Sequence, residues 1–268
     1  MDKDIVLNYL YRNNIETSFL TENVLAFGLN NDKTKKRCGC YYGYFEGSEL
    51  KGILPFYNHG GCIPHYESTN AIKEFAEIMA SGKLDTLMGV QYIIEPLFVL
   101  MNEIKKLEFY AQTSYYINTN FKPSVLDGIE FAKGSELPLK MTSKFIKASL
   151  EDSFSTMKRP NLITQLFTEE SIEEDFIFLL KNGEIKAQAN IHTRTNKINQ
   201  IGAVYTLNSE RRQGYGKAIV SEVCKRIIAL GKIPTLLVRN NNTAAIRTYK
   251  SLGFTLYDNY LFANFSSI

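Results

Sequence analysis

The chain has 268 residues, 44% of them hydrophobic, and a formal net charge of +3. That apolar content supports a packed core and argues against disorder, in one large or two modest domains. The charge is too small to point to nucleic acid, and no apolar run reaches the roughly eighteen residues of a membrane span. The N-terminus, Met1-Asp2-Lys3-Asp4, lacks the basic-then-apolar pattern of a secretory signal. A cytoplasmic protein with reduced thiols is expected, with neither nucleic acid nor membrane as partner.

Apolar spacing predicts helices over 4–13 and 17–28, followed by a polar loop from Asn30 to Lys36. Strands follow at Cys40–Phe45 and Leu50–Tyr57, with turns at Glu46-Gly47-Ser48 and Asn58-His59-Gly60-Gly61. Ala71–Met79 reads as a helix ending near Gly82, Leu84–Gly89 as a short strand, Ile93–Leu107 as a helix and Phe109–Ile117 as a strand. Turn formers between Lys122 and Glu136 suggest a boundary near 122, dividing the chain into 1–121 and 122–268. Beyond it lie a strand at Ile129–Ala132, helices up to about 170, and a hairpin of Phe176–Leu180 and Ile185–Thr193 around Asn182-Gly183. A strand at Asn199–Thr206 precedes a helix that should bury Ile219, Val223, Ile227 and Leu230 and stop at Gly231. Thr235–Val238 is strand-like, a last helix starts near Asn242, and a final pair of strands is expected over Phe254–Phe265. Cys38, Cys40, His59, Cys62 and His65 match no common zinc spacing, so the cysteines read as buried small hydrophobes and no metal is expected.

The most informative segment is Arg211-Arg212-Gln213-Gly214-Tyr215-Gly216, between a strand and a helix. A glycine turn opening a helix presents free N–H groups at the positive end of the helix dipole, a setting that binds phosphate. Arg211, Arg212, Lys217, Arg239 and Arg247 would add positive charge. Further on comes Asn242-Thr243-Ala244-Ala245-Ile246-Arg247-Thr248-Tyr249-Lys250-Ser251-Leu252-Gly253-Phe254.

These two blocks, in this order, resemble the GNAT superfamily of acetyl-CoA-dependent N-acetyltransferases. Arg211, Gly214 and Gly216 match its phosphate loop, and Asn242, Ala245, Tyr249, Gly253 and Phe254 match its later block. The likeness covers the last half of the chain and is tightest over 199–265. It implies an α/β fold with a mixed α+β sheet and acetyl-CoA as co-substrate, with no metal. The backbone of Arg212, Gln213, Gly214, Tyr215, Gly216 and Lys217 would hold the pyrophosphate. The edge of the preceding strand, through Val204, Tyr205 and Thr206, would take the pantetheine arm, and Tyr249 would protonate the leaving thiolate. Asn242 has two compatible readings, a helix N-cap and a contact to CoA.

The first half repeats the order of helices and strands without the glycine loop. Where the loop would stand it has Pro64-His65-Tyr66-Glu67-Ser68-Thr69-Asn70, so it resembles a degenerate copy in a tandem GNAT-like fold. A single CoA per chain is expected, bound by residues after about 195, with residues 1–121 shaping the acceptor pocket or stabilising the second half. The acceptor would be an amine of a small molecule or peptide. The central strand has no carboxylate, so the base is left among His192, Glu169, Glu170 and solvent. A non-catalytic acyl-CoA-binding module is the principal alternative, followed by another acyl donor or a hydroxyl or thiol acceptor.

Overall fold

The computed structural model describes residues 2–154 and 169–266. The first half comprises α1 (Lys3–Arg12), α2 (Ser18–Phe27), β1 (Gly39–Glu46), β2 (Glu49–Tyr57), β3 (Gly61–Cys62), β4 (His65–Tyr66), α3 (Ala71–Ser81), β5 (Thr86–Val90), α4 (Gln91–Ile104) and β6 (Leu107–Ile117). The second comprises β7 (Glu130–Lys133), α5 (Leu139–Phe154), α6 (Glu169–Asp175), β8 (Phe176–Lys181), β9 (Glu184–Arg194), β10 (Ile198–Thr206), α7 (Tyr215–Ala229), β11 (Ile233–Arg239), α8 (Thr243–Ser251) and β12 (Thr255–Phe265). Local chemistry sets several of these boundaries. The Asp2 carboxylate accepts from the N–H groups of Asp4 and Ile5 at 2.8 and 3.2 Å and caps α1. Asn182 and Gly183 both have positive φ, 53° and 75°, the geometry of a primed hairpin turn between β8 and β9.

The fold is mixed α/β, and the two halves repeat one order of elements. Each runs, in the second half after the added strand β7, from two helices through antiparallel strands to a helix, a strand, a helix and a last strand. In the second half β10 pairs with β9 on one side and, in parallel, with β11 on the other. In the first half the corresponding strand is broken in two: β4 pairs with β2, while β3 pairs in parallel with β5.

The last strands of the halves are exchanged. The large sheet has the order β3-β5-β12-β6-β11-β10-β9-β8-β7. Strand β12 of the second half therefore lies between β5 and β6 of the first, and β6 lies between β12 and β11. The cores follow the same exchange. Leu261, Ala263 and Phe265 of β12 pack with Leu54, Phe75 and Leu97 of the first half. Tyr116 of β6 packs with Ile201, Ile219 and Leu236 of the second. The expected division at 121/122 falls in the stretch 118–129, between β6 and β7, and the sheet runs unbroken past it.

Three expectations need correction. Phe254–Phe265 holds one strand rather than a pair, because its hairpin partner is replaced by β6 from the first half. Leu230 caps α7 and is 63% exposed, since the helix has already ended at Ala229 and its buried stripe stops at Ile227. Cys40 is exposed on the outer strand of the small sheet, whereas Cys38, Cys62 and Cys224 are buried. Part of the expected helical region, 155–168, lies outside the described residues.

At the place where the first half lacks a glycine loop, Glu67 is held by Arg12 at 2.6 Å and by Asn13 at 2.7 Å. These bonds hold its pKa down at about 2, from an ordinary 4.5. The lowered value means the carboxylate contributes stability above about pH 4.5, and that contribution is lost as pH falls towards 2.

Because each half completes the other's sheet, the chain should unfold in one transition. Leu261→Ala should cost about 2–5 kcal/mol, the usual range for a buried leucine, and should lower the single calorimetric midpoint without splitting it. Two separable transitions, one for each half, would contradict the exchanged-strand architecture.

Candidate active site

The decisive local feature is where β10 and β11 part. They pair from Ile198↔Ile233 to Ile201↔Leu236, and the pairing stops there. On its other side β10 shifts register against β9 between Gly202 and Tyr205, and Ala203 has φ 47°. A bulge of this kind bends and twists a strand locally. The carbonyl of Ala203 is taken up by the Gln188 side-chain amide, at 3.3 Å. The edge of 202–206 facing β11 is thus left without a strand partner and can pair with an extended ligand.

A cleft of about 1010 Å³ fills the gap. One wall is β10 from Ile201 to Thr206, and the other is β11 from Leu236 to Arg239. Its open end is closed by Arg211, Arg212, Gly214, Tyr215, Gly216 and Lys217. Asn242, Ala244, Ala245, Thr248 and Tyr249 of α8 and its cap line the remaining side. A second hollow, about 640 Å³, lies between β1 and α3 and is lined largely by aromatic side chains such as Tyr41, Tyr42 and Phe45.

The turn that opens α7 has the geometry required of an anion site. Gly214 is its N-cap at φ 87°, a left-handed conformation that favours glycine. Gly216 sits so close to β10 that an added Cβ would lie 3.3 Å from Thr206 Oγ1. The N–H groups of Tyr215, Gly216 and Lys217 fall in the first turn, where no intrahelical acceptor exists. Ile219, Val223 and Ile227, all fully buried, anchor the helix beneath the sheet and fix the direction of its dipole.

The side chains around the turn divide into two groups. The guanidinium of Arg211 is committed to Asp152, at 2.9 Å, and to the carbonyl of Thr206. Gln213 donates to Glu210 at 2.9 Å, so what it can offer the cleft is backbone. Arg212, Lys217 and Arg239 line the cleft, and Arg247 is not among its lining residues.

On α8, Asn242 Oδ1 accepts from the N–H of Ala245 at 3.2 Å, so the capping role of Asn242 is observed directly. Tyr249 is 7% exposed, lines the cleft and packs edge-on against Phe254, with ring centroids 5.9 Å apart. Burial pushes its phenol pKa well above the ordinary value, which keeps the proton on at neutral pH.

Sequence reasoning did not single out Gly202 and Ala203 as site residues, although the family resemblance implies a parting of strands 199–206 and 235–239. The unusual Gly-Ala step inside an otherwise bulky strand was the available signal for the bulge. Of the candidate bases, His192 stands on β9 beside Gly202, where a Cβ on the glycine would approach His192 Cβ to 3.0 Å. It is solvent-exposed, and partial desolvation by the protein atoms beside it lowers its pKa. The side chains of Glu169 and Glu170 lie outside the described part. No group of metal-ligating residues occurs among the described residues, and no helix there is long and apolar enough to cross a membrane.

Comparison with known proteins agrees with this fold. Residues 180–263 match the family described as FR47-like protein. A GNAT-family acetyltransferase from Colwellia psychrerythraea superimposes with a TM-score of 0.56 at 14% identity, covering 97% of both chains. A Drosophila protein superimposes at 0.69 with 13% identity, over 98% of this chain and 95% of that one. A GCN5-related N-acetyltransferase from Kribbella flavida gives 0.58 at 11% identity, covering 94% of each. The sequence match is confined to residues 180–263, and the fold of the whole chain is shared with these solved GNAT acetyltransferases.

The Asn242 cap makes a separate stability prediction. Asn242→Ala should destabilise the protein by about 1 kcal/mol (range 0.5–2), read from the shift of a urea unfolding midpoint at unchanged slope. No shift would mean that the observed bond contributes nothing to the fold.

Proposed function

We propose that the chain is an N-acetyltransferase that moves acetyl from acetyl-CoA to an amine of a small molecule or peptide by direct attack in a ternary complex. The observation that carries this reading is the meeting, in one cleft, of an unpaired strand edge and a free helix N-terminus. CoA has one group for each. Its pyrophosphate suits the N–H groups at the start of α7, with Arg212 and Lys217 adding charge. Its pantetheine amides suit the edge of 202–206, through Val204, Tyr205 and Thr206, as an added strand would.

In the reaction, the amine lone pair attacks the thioester carbonyl. A C–N bond forms and the C–S bond breaks, and the thiolate leaves with the electron pair. Tyr249 gives that sulfur a proton; in support, its phenol is protonated at neutral pH and it lines the same cleft. The proton lost by the amine goes to a base or to solvent, and solvent returns one to Tyr249. The cleft itself contributes by holding donor and acceptor together, which removes much of the entropic barrier.

Two variants test this. Gly214→Glu would put a carboxylate at the phosphate position and force a side chain onto a left-handed backbone, so acetyl-CoA binding measured by calorimetry should be lost. Undiminished affinity in that variant would remove the basis of the reading. Tyr249→Phe keeps the packing against Phe254 and deletes the proton donor. Turnover should fall about 10²-fold or more while acetyl-CoA affinity barely changes. Equal turnover would leave Tyr249 as a packing residue. Binding of acetyl-CoA with no transfer to any amine would favour the non-catalytic module.

A further inference from the structure

The outer edge of β1 is bare. The strand stands at the end of the small sheet, whose order is β1-β2-β4, and it pairs with β2 alone. Its ladder with β2 runs without a shift from Gly39 to Tyr44, so the edge is regular over that stretch. Among the described residues, 41–45 make no backbone hydrogen bond outside that pairing. Edge strands are usually guarded by lysine, proline or a covering element, because their free N–H and C=O groups recruit another strand. Gly39-Cys40-Tyr41-Tyr42-Gly43-Tyr44-Phe45 carries no charge and no proline. It is also uncovered: Cys40, Tyr42, Gly43 and Phe45 are all exposed.

The hollow of about 640 Å³ follows this edge, with residues 41–45 along it. Asp2, at the start of α1, stands on one side, and Glu74, Phe75 and Ile78 of α3 stand on the other. These sides are opposite faces of the small sheet. Tyr41 packs with the core of α1 and α2, and Tyr44 with the core of α3 and α4. A hollow that reaches both faces of one strand edge suits an extended chain, because the side chains of an added strand alternate between the two faces. A small molecule would fill one face and leave the edge unpaired. The charge of the hollow has one sign: Asp2 and Glu74 line it, while the adjacent Lys3 and Lys73 do not. The Asp2 cap uses Oδ1 alone. Tyr42 and Phe45, each 42% exposed, add ring faces that attract a cation.

We propose that the β1 edge binds an extended basic segment of a partner protein, which adds as an outer strand to the small sheet and places a lysine or arginine on each face. Backbone bonds to β1 supply affinity, as in other strand additions. Asp2 on one face and Glu74 on the other select for positive charge, with the Tyr42 and Phe45 rings beside them. Neighbouring residues of a strand point to opposite faces, so two adjacent basic residues are the simplest motif that meets both carboxylates. A second copy of this chain is a poorer occupant, because pairing two β1 edges would bring the Asp2 and Glu74 carboxylates of both copies together. The hollow shares no lining residue with the cleft between β10 and β11, so the site stands whether or not that cleft transfers acetyl.

Fluorescence polarisation with the full chain and labelled short peptides tests this. One peptide carries two adjacent arginines among valine and threonine. A second has glutamates in their place, and a third repeats the first with every backbone nitrogen methylated. The arginine peptide should bind with a roughly micromolar Kd. The other two should bind about 10-fold more weakly or worse, the second through its charge and the third because it cannot pair with a strand edge. Glu74→Lys and Tyr42→Lys should each weaken the arginine peptide by about 10-fold or more. Glu74→Lys, at an exposed position, should do so at an unchanged melting temperature. No binding of the arginine peptide would overturn the site. Equal binding of the glutamate peptide would overturn the charge selection, and equal binding of the methylated one the strand addition. Affinity untouched by both substitutions would place the peptide elsewhere on the molecule. Displacement by tetramethylammonium at the peptide's own concentration would make the hollow a small-cation site. A dimer in sedimentation that Tyr42→Lys dissociates would make a second copy the occupant.

Discussion

The structure depends on one interruption in backbone hydrogen bonding. Two parallel strands pair up to Ile201 and Leu236 and then separate. A separation inside a sheet exposes N–H and C=O groups that would otherwise have to find partners. Here it is tolerated because the bulge at Ala203 redirects β10, and because Gln188 takes up the bulge carbonyl. The space so made is the cleft, and the start of α7 closes its open end. Without the bulge, continued pairing of 202–206 with 237–239 would fill the cleft with sheet.

The second constraint is the exchange of β6 and β12. It ties the first half to the second by main-chain ladders as well as by side-chain packing. This is what carries α2 onto the far face of β9, with Phe19 reaching both His192 and Tyr260. A half without a glycine loop thereby packs directly against the strands that flank the other half's cleft. In the first half Arg12 and Asn13 hold Glu67 near the site where that loop is missing, so local structure there is set by an ion pair.

Much of this was legible in the sequence because it is written in local terms. The hairpin at Asn182-Gly183 and the glycine turn at 214–216 are short-range signals with their own geometry, and they fix the strands and the helix around them. What is missing from the sequence is non-local. Nothing in Leu256 to Phe265 shows that its neighbour comes from residues 107–117, so a hairpin was the natural reading. Leu230 continues the apolar spacing of α7, and only the end of the helix at Ala229 turns it to solvent. The buried polar side chains of β9 were hidden for a different reason. Gln188 and Asn190 alternate like the solvent face of an ordinary strand, yet both are buried, Gln188 with its amide on Ser149 of α5.

The central claim is that an acyl-CoA occupies the gap between β10 and β11, with its phosphates on α7. Amide hydrogen exchange, with and without acetyl-CoA, tests it most directly, because it reads the very N–H groups the account assigns. Protection should appear at residues 202–206 and 214–217 on adding acetyl-CoA, with residues 61–70 of the first half unchanged. Protection confined to the first half, or none along β10, would contradict it.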